Sequence, residues 1–90
     1  MKRGEILDEA KRLVTKDREE DHGEAQDIYD DLAFLWSMRL KIGIDPGQVM
    51  LMMNDLKSTR AWHMPRNHDN YVDMAGYAAL AGELYHDRDR

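Results

Sequence analysis

Residues 69–85, with the sequence DNYVDMAGYAALAGELY, predict one helix whose side chains from Tyr71 to Leu84 are apolar or small on nearly every side. A helix without a polar face is a buried helix. Its glycines and alanines also permit close contact between helices. We therefore expect this segment at the centre of a helical bundle or at a subunit interface. Asp73 places a carboxylate inside this apolar run.

Three further segments have apolar residues at helical spacing, and they precede this one along the chain: 4–16, 24–41 and 46–62. The start of the third is the clearest signal, because Asp45 suits the N-cap and Pro46 suits the first helical position. Pro65 follows that helix and stops it. No segment alternates as a strand does. The sequence predicts an all-α domain.

The links between these helices are short. Gly23 permits a turn at the end of a charged stretch, residues 17–23, and Gly43 can end the second helix. Short links suit a compact four-helix bundle. We therefore expect a single domain over residues 1–90, with a frayed charged tail at 86–90.

Composition excludes several classes of function. The net charge is −5, and acids and bases are interleaved. A DNA- or RNA-binding surface needs a basic stripe, so a nucleic-acid polymer is not an expected partner, whereas a small anionic ligand still is. No apolar run approaches the roughly 20 residues that span a membrane. We expect a cytoplasmic protein.

The small size of the chain favours association. Ninety residues without a cysteine cannot gain stability from a disulfide. Small domains then often rely on a metal or on association for stability. Seven methionines and two tryptophans suit an adaptable core or interface. We expect a homo-oligomer.

Asp73 is the first candidate for a functional residue, because a buried carboxylate must be paired, protonated or bound to metal. Asp69 lies one turn earlier on the same face, and two such carboxylates can share a divalent cation such as Mg²⁺. Tyr77 continues this face and could hydrogen-bond a ligand. The alternative is a buried ion pair between Asp73 and either Lys57 or Arg60, with no ligand.

Charged groups on the two preceding helices could complete such a site. Lys57 and Arg60 are about one turn apart and could hold a phosphate, although solvated charges near a helix end are the alternative. The second helix presents Glu24, Asp27 and Asp31 on its polar side. Carboxylates there could contribute metal ligands, or they could form an ordinary solvated acidic face.

Several stretches, which together extend over nearly the whole chain, resemble a small bacteriophage-encoded family of unknown function: Asp21-His22-Gly23, Leu35-Trp36, Val49 to Met53, Leu56-Lys57 with Arg60, and Asp69 to Ala78. That family is similar in turn to nucleotide-modification-associated domains related to MazG-type all-α nucleoside triphosphate pyrophosphohydrolases. The resemblance implies a MazG-like fold in the host cytoplasm.

The resemblance also implies a set of site residues. His22 stands where the related domains have Tyr between Asp and Gly, and Lys57, Arg60, Asp69, Asp73 and Tyr77 match their other positions. One departure is clear. MazG enzymes carry Glu-x-x-Glu on one helix, and the nearest equivalent here is Glu24-x-x-Asp27.

Three functions follow as alternatives. In the first, Mg²⁺ held by Asp69, Asp73 and an acid of the second helix supports release of pyrophosphate from a nucleoside triphosphate. In the second, the same pocket binds a nucleotide or a nucleotide-derived signal molecule without cleaving it. The missing Glu-x-x-Glu favours this second function. In the third, the helices form a protein-interaction module and Asp73 is a structural ion pair.

Overall fold

The structure is a computed structural model that describes the backbone of residues 1–86 and the side chains of residues 1–15 and 27–86. Within this part of the chain there is no strand, and four α-helices follow one another: α1 Arg3–Arg12, α2 Arg18–Leu40, α3 Pro46–His63 and α4 Asp69–His86. The predicted all-α, bundle-like class is confirmed. Of the expected tail at 86–90, His86 ends α4 and residues 87–90 lie outside the described part.

The first two helices are joined without a loop, and here the prediction was wrong. A π-helical turn, Leu13–Asp17, connects α1 directly to α2. Gly23 therefore lies inside α2 rather than in a turn. Glycine inside a helix costs only about 1 kcal/mol relative to alanine. Arg18, Glu19 and Glu20, which lie in the predicted link, are good helix formers. Gly23 is compatible with a turn, but it does not require one.

The end of α2 is also different from the prediction. The helix ends at Leu40, and Lys41 adopts a left-handed conformation with φ of 57°. Ser37 holds the chain that follows, because its Oγ accepts a hydrogen bond from the Ile44 backbone N–H at 2.8 Å. Gly43, the expected terminator, has no positive φ.

The start of α3 matches its prediction. The Asp45 side chain accepts a hydrogen bond from the Gln48 N–H at 2.8 Å, and Gln48 Oε1 accepts one from the Asp45 N–H at 2.9 Å. Tyr85, near the end of α4, donates its hydroxyl to Asp45 Oδ1 at 2.6 Å. The Tyr85 ring lies so close to Gly47 that a Cβ at that position would overlap it. A glycine is needed at this contact between helices.

The helices pack around α4. The most extensive contact joins α3 and α4, α1 and the π-helical turn pack on α4, and α2 packs on α3. The large buried apolar side chains are Val49, Met50 and Val72, and the other buried apolar residues are alanines. The expectation that α4 is buried all round was wrong, because its small residues Ala78, Ala79 and Gly82 are exposed. Small side chains lose little by facing water.

None of the described helices combines the length and the apolar character that crossing a membrane requires.

Candidate functional site

A cavity of about 170 Å³ lies where the π-helical turn, α2 and α4 meet. Its wall combines aliphatic side chains with three oxygen-bearing ones, and the lining residues are Ala10, Leu13, Val14, Tyr29, Val72, Asp73, Gly76, Tyr77 and Leu80. Five of these nine belong to α4, whose one-sided apolar face therefore builds most of the wall. Two predicted site residues, Asp73 and Tyr77, lie in this wall.

Asp73 forms an ion pair with Lys57. Lys57 Nζ lies 2.9 Å from Asp73 Oδ2, and the side chains are 17% and 35% exposed respectively. Lys57 reaches the carboxylate from α3, a helix that contributes no residue to the cavity wall. Of the two cations considered from sequence, Lys57 is the partner. The carboxylate is therefore neutralised by the protein itself and still borders the cavity.

Tyr77 lies one turn beyond Asp73 and meets Tyr29 of α2. The Tyr29 hydroxyl donates to the Tyr77 hydroxyl at 3.3 Å, and the two rings pack edge to face with centroids 6.1 Å apart. Edge-to-face packing is a favoured arrangement of aromatic rings. Because the Tyr77 hydroxyl oxygen accepts the hydrogen bond from Tyr29, the Tyr77 O–H can itself donate to another group.

The other predicted residues of α3 and α4 lie outside the cavity wall. Asp69 is exposed at the first position of α4, where its backbone N–H donates to Asn67 Oδ1 at 3.2 Å. Arg60 is exposed in the last turn of α3. The structure thus brings Asp73, Lys57 and Tyr77 together and leaves Asp69 and Arg60 at the surface.

The candidate site residues of α2 divide into two groups. Asp27 and Asp31 are exposed and are absent from the cavity wall. The side chains of His22 and Glu24 lie outside the described residues. Among the side chains that are described, no three histidines or carboxylates come together as a metal site would require.

Two buried amide groups lie on the same helices as the ion pair. Asn54 precedes Lys57 by three residues on α3, and Asn70 precedes Asp73 by three residues on α4. Asn54 Oδ1 and Asn70 Nδ2 are buried without a hydrogen-bond partner in the described structure. Neither amide lines the cavity, so neither is assigned to the site.

Arg12 and Glu9 form an ion pair at the surface of α1, and neither residue lines the cavity. Arg12 donates to the Glu9 carboxylate on α1, with 2.6 Å between Arg12 Nη2 and Glu9 Oε1. This hydrogen bond, with a smaller contribution from the charge of Arg12, lowers the pKa of Glu9. The pair supports α1 and has no part in the candidate site.

Sequence reasoning missed three important parts of the wall: Tyr29, Val14 and Gly76. Tyr29 looked like one more member of the apolar stripe of α2, although a tyrosine in such a stripe needs a partner for its hydroxyl when it is buried. Gly76 lies close to Val14, since a Cβ on Gly76 would approach Val14 Cγ1 to 3.2 Å. No local sequence pattern predicts the contact between Gly76 and Val14.

Comparison with known proteins identifies relatives of unknown function. A family model described as Domain of unknown function (DUF6378) matches residues 5–85. The Gene 55 protein of Mycobacterium phage D29 is 32% identical over 80 residues, which are 89% of this chain and 53% of that protein. The Gene 55 protein of Mycobacterium phage L5 is 32% identical over 81 residues, which are 88% of this chain and 51% of that protein.

These comparisons confirm the expected relation to phage proteins of unknown function. The chain spans about half the length of the curated relatives it matches. No solved structure matches the chain. The relation to MazG-type enzymes stays a prediction.

Proposed function

The chain belongs to the DUF6378 family, and on that premise we propose that it binds a nucleotide or a nucleotide-derived small molecule through the base, without hydrolysing it. The observation that carries the proposal is the half-buried Asp73 carboxylate at the wall of a cavity that also contains the Tyr77 hydroxyl.

The size of the cavity suits a single planar ring. Small-molecule pockets usually measure about 300 Å³ or more, so 170 Å³ is too small for a whole nucleotide. An apolar cavity of roughly 150 Å³ can hold benzene. A base would therefore fill the space between Val14 and Leu80, and its sugar and phosphates would lie outside.

The polar groups of the wall match the edge of a base. Asp73 offers carboxylate oxygens that accept hydrogen bonds, and Tyr77 offers an O–H that donates. Bases carry amino or ring N–H donors beside carbonyl or ring-nitrogen acceptors. Because Lys57 balances the charge of Asp73, a neutral base enters without leaving a net charge in the cavity wall.

The arrangement of carboxylates favours binding over hydrolysis. Magnesium-dependent pyrophosphate release would need Mg²⁺ between Asp69, Asp73 and an acid of α2, such as Glu24 or Asp27. Asp73 is already paired with Lys57, while Asp69 and Asp27 are exposed. As placed, Asp69, Asp73 and Asp27 do not fit a shared cation. Pyrophosphate release is therefore the second candidate function, after binding without hydrolysis. The binding experiment below also tests for it.

The proposal is tested by calorimetry. Bases, nucleosides, nucleoside mono- and triphosphates and cyclic nucleotides are titrated into the protein with and without Mg²⁺, and the products are analysed for pyrophosphate. We expect heat with at least one compound that carries a base, in the absence of Mg²⁺, and no release of pyrophosphate. No heat with any compound would contradict the binding proposal. Pyrophosphate release would establish the cleaving function instead.

Two variants test whether the ligand binds in the cavity. Tyr77→Phe should weaken binding about tenfold, because it removes one hydrogen bond to the ligand and keeps the ring. Tyr71→Phe is the matched control. Its hydroxyl donates to the Pro65 carbonyl at 2.8 Å, outside the cavity, so its loss should leave the affinity unchanged. If the two substitutions weaken binding equally, the ligand does not bind in this cavity.

A further inference from the structure

The helix α2 has apolar residues on two opposite sides. Its inner side contacts the rest of the protein and includes Ala33, which is buried, and Trp36, which is half-buried. Its outer side carries Ile28, Leu35 and Met38, which are 51%, 43% and 61% exposed. A surface helix of a monomer normally has one apolar face. The outer apolar side of α2 does not pack against the core of this chain, so another partner must account for it.

The outer residues follow the spacing of a helix-pairing seam. Ile28, Asp31, Leu35 and Met38, which we call the outer stripe, are separated by three, four and three residues. This is the alternation of inward positions in a coiled coil. Phe34, which is 66% exposed, lies beside the stripe. The pattern indicates a second helix as the occupant.

The charges on this face select a second copy of the same helix in an antiparallel orientation. Asp31 is exposed in the middle of α2, and Arg39 is exposed near its C-terminal end. A parallel pair would put Asp31 beside Asp31. An antiparallel pair that crosses near Leu35 brings Asp31 of each copy to within about one turn of Arg39 of the other, so the face is complementary to itself. Such self-complementarity is the property of a two-fold symmetric interface.

The exposed area is of the size that such an interface uses at its centre. Ile28, Phe34, Leu35 and Met38 are 51%, 66%, 43% and 61% exposed. Such exposure corresponds to roughly 400 Å², within the range of about 300–600 Å² for the largest apolar patch on a monomer, and that patch is often a functional surface. A stable dimer buries about 800 Å² per partner, with an apolar centre and a polar rim. Ile28, Leu35 and Met38 of the outer stripe would supply the apolar centre, and the pairs of Asp31 with Arg39 would lie beside it.

We propose that two copies of this chain associate through the outer stripe of α2, antiparallel and about a two-fold axis, with Asp31 of each copy near Arg39 of the other. The cavity lies against the opposite, inner side of α2, where Tyr29 contacts Tyr77. The association therefore stands independently of ligand binding. In the dimer, Leu35 lies near the axis and Ile28 and Met38 lie on either side of it.

Charge reversal tests both the surface and the orientation. By sedimentation equilibrium, the unaltered chain should be a dimer at micromolar concentration. Asp31→Arg and Arg39→Asp should each weaken self-association about tenfold or more, because both pairs across the axis become repulsive. An equimolar mixture of the two variants should associate again as a heterodimer, since each contact then joins an arginine to an aspartate.

Matched substitutions away from the stripe serve as controls. Asp55→Arg on α3 and Arg66→Asp in the following loop change the charge equally at exposed positions, and both should remain dimeric. Circular dichroism confirms that each variant is folded. The proposal is wrong if the unaltered chain is monomeric at millimolar concentration, or if the mixed reversal variants fail to associate. It is also wrong if Leu35→Glu leaves the dimer intact.

Discussion

Asp73 was expected to be buried and paired, and in the structure its side chain is 35% exposed and forms an ion pair. A carboxylate inside an apolar helix must have a cation nearby, and this argument limited its partners to a metal, Lys57 or Arg60. The structure selects Lys57, at 2.9 Å. The choice depends on how α3 and α4 are rotated against each other, because Lys57 and Arg60 differ by only one turn of the same helix.

The first prediction concerns the stability that this ion pair contributes. Lys57→Met and Asp73→Asn should each lower the free energy of unfolding by about 1 kcal/mol. The figure is modest because Asp73 is 35% exposed, so water can solvate the carboxylate that Lys57 leaves behind. Urea denaturation of both single variants and the double variant would give a coupling energy of about 0.5–1 kcal/mol.

The same variants separate a structural from a functional role of the pair. If Asp73→Asn lowers stability and leaves ligand affinity unchanged, the pair is structural and the proposed contact to the base is lost. If the affinity falls while the variant remains folded, Asp73 contacts the ligand. A coupling energy of zero would show that the two side chains do not interact in solution.

The helices differ in how well their start and end can be predicted from their own residues. The helix α3 could be placed from sequence because Asp45, Pro46 and Gln48 form its N-terminus within four residues of chain. The long helix α2 could not, since Gly23 is compatible with a turn and with a helix alike. Its end at Leu40 was missed because the left-handed residue is Lys41, a type that rarely adopts this conformation.

The end of α2 gives the second prediction. Lys41→Gly should raise the free energy of unfolding by about 0.5–1 kcal/mol, because glycine adopts the left-handed conformation without the steric cost that lysine incurs. The gain is limited by the greater freedom of glycine in the unfolded chain. Thermal or urea denaturation of the variant and the unaltered chain measures the difference.

Gly43→Ala is the matched control for this prediction. Gly43 has no positive φ, and a Cβ there would meet no atom within 4 Å. The substitution should therefore be neutral or slightly stabilising. A loss of stability in Gly43→Ala together with no gain in Lys41→Gly would mean that Gly43 ends the helix in solution, as the sequence had indicated.

The whole molecule leaves much of its apolar surface in contact with water. Its radius of gyration is 13.8 Å, where a compact domain of this length has about 12 Å. Among the side chains that the structure describes, the large apolar ones that are fully buried are Val49 and Met50. Small domains have little stability to spare, so a partner that covers the outer stripe of α2 would contribute to folding as well as to assembly.

The third prediction follows at this scale. If association through the outer stripe stabilises the fold, the midpoint of thermal unfolding should rise with protein concentration, as it does whenever a partner binds the native state alone. A change of about 2 kcal/mol across a hundredfold concentration range would shift the midpoint by several degrees. Scanning calorimetry at several concentrations measures it.

The variant Leu35→Glu provides the comparison. It places a charge near the proposed two-fold axis on an exposed side chain, so the isolated chain should still fold. Its unfolding midpoint should be lower than that of the unaltered chain at high concentration and should not change with concentration. A midpoint that is independent of concentration in both proteins would contradict the contribution of the dimer to stability.

The sequence alone was sufficient to predict the helical class and the positions of α3 and α4. It also showed that Asp73 needs a cation nearby. These features could be predicted because capping, periodicity and the burial of charge depend on a few neighbouring residues. Packing in three dimensions was required for the partner of Asp73, for the meeting of Tyr29 with Tyr77, and for the side of α2 that faces inward. Those contacts join residues 16 and 48 positions apart. Which apolar stripe is covered depends on where the other helices lie, and no local pattern contains that information.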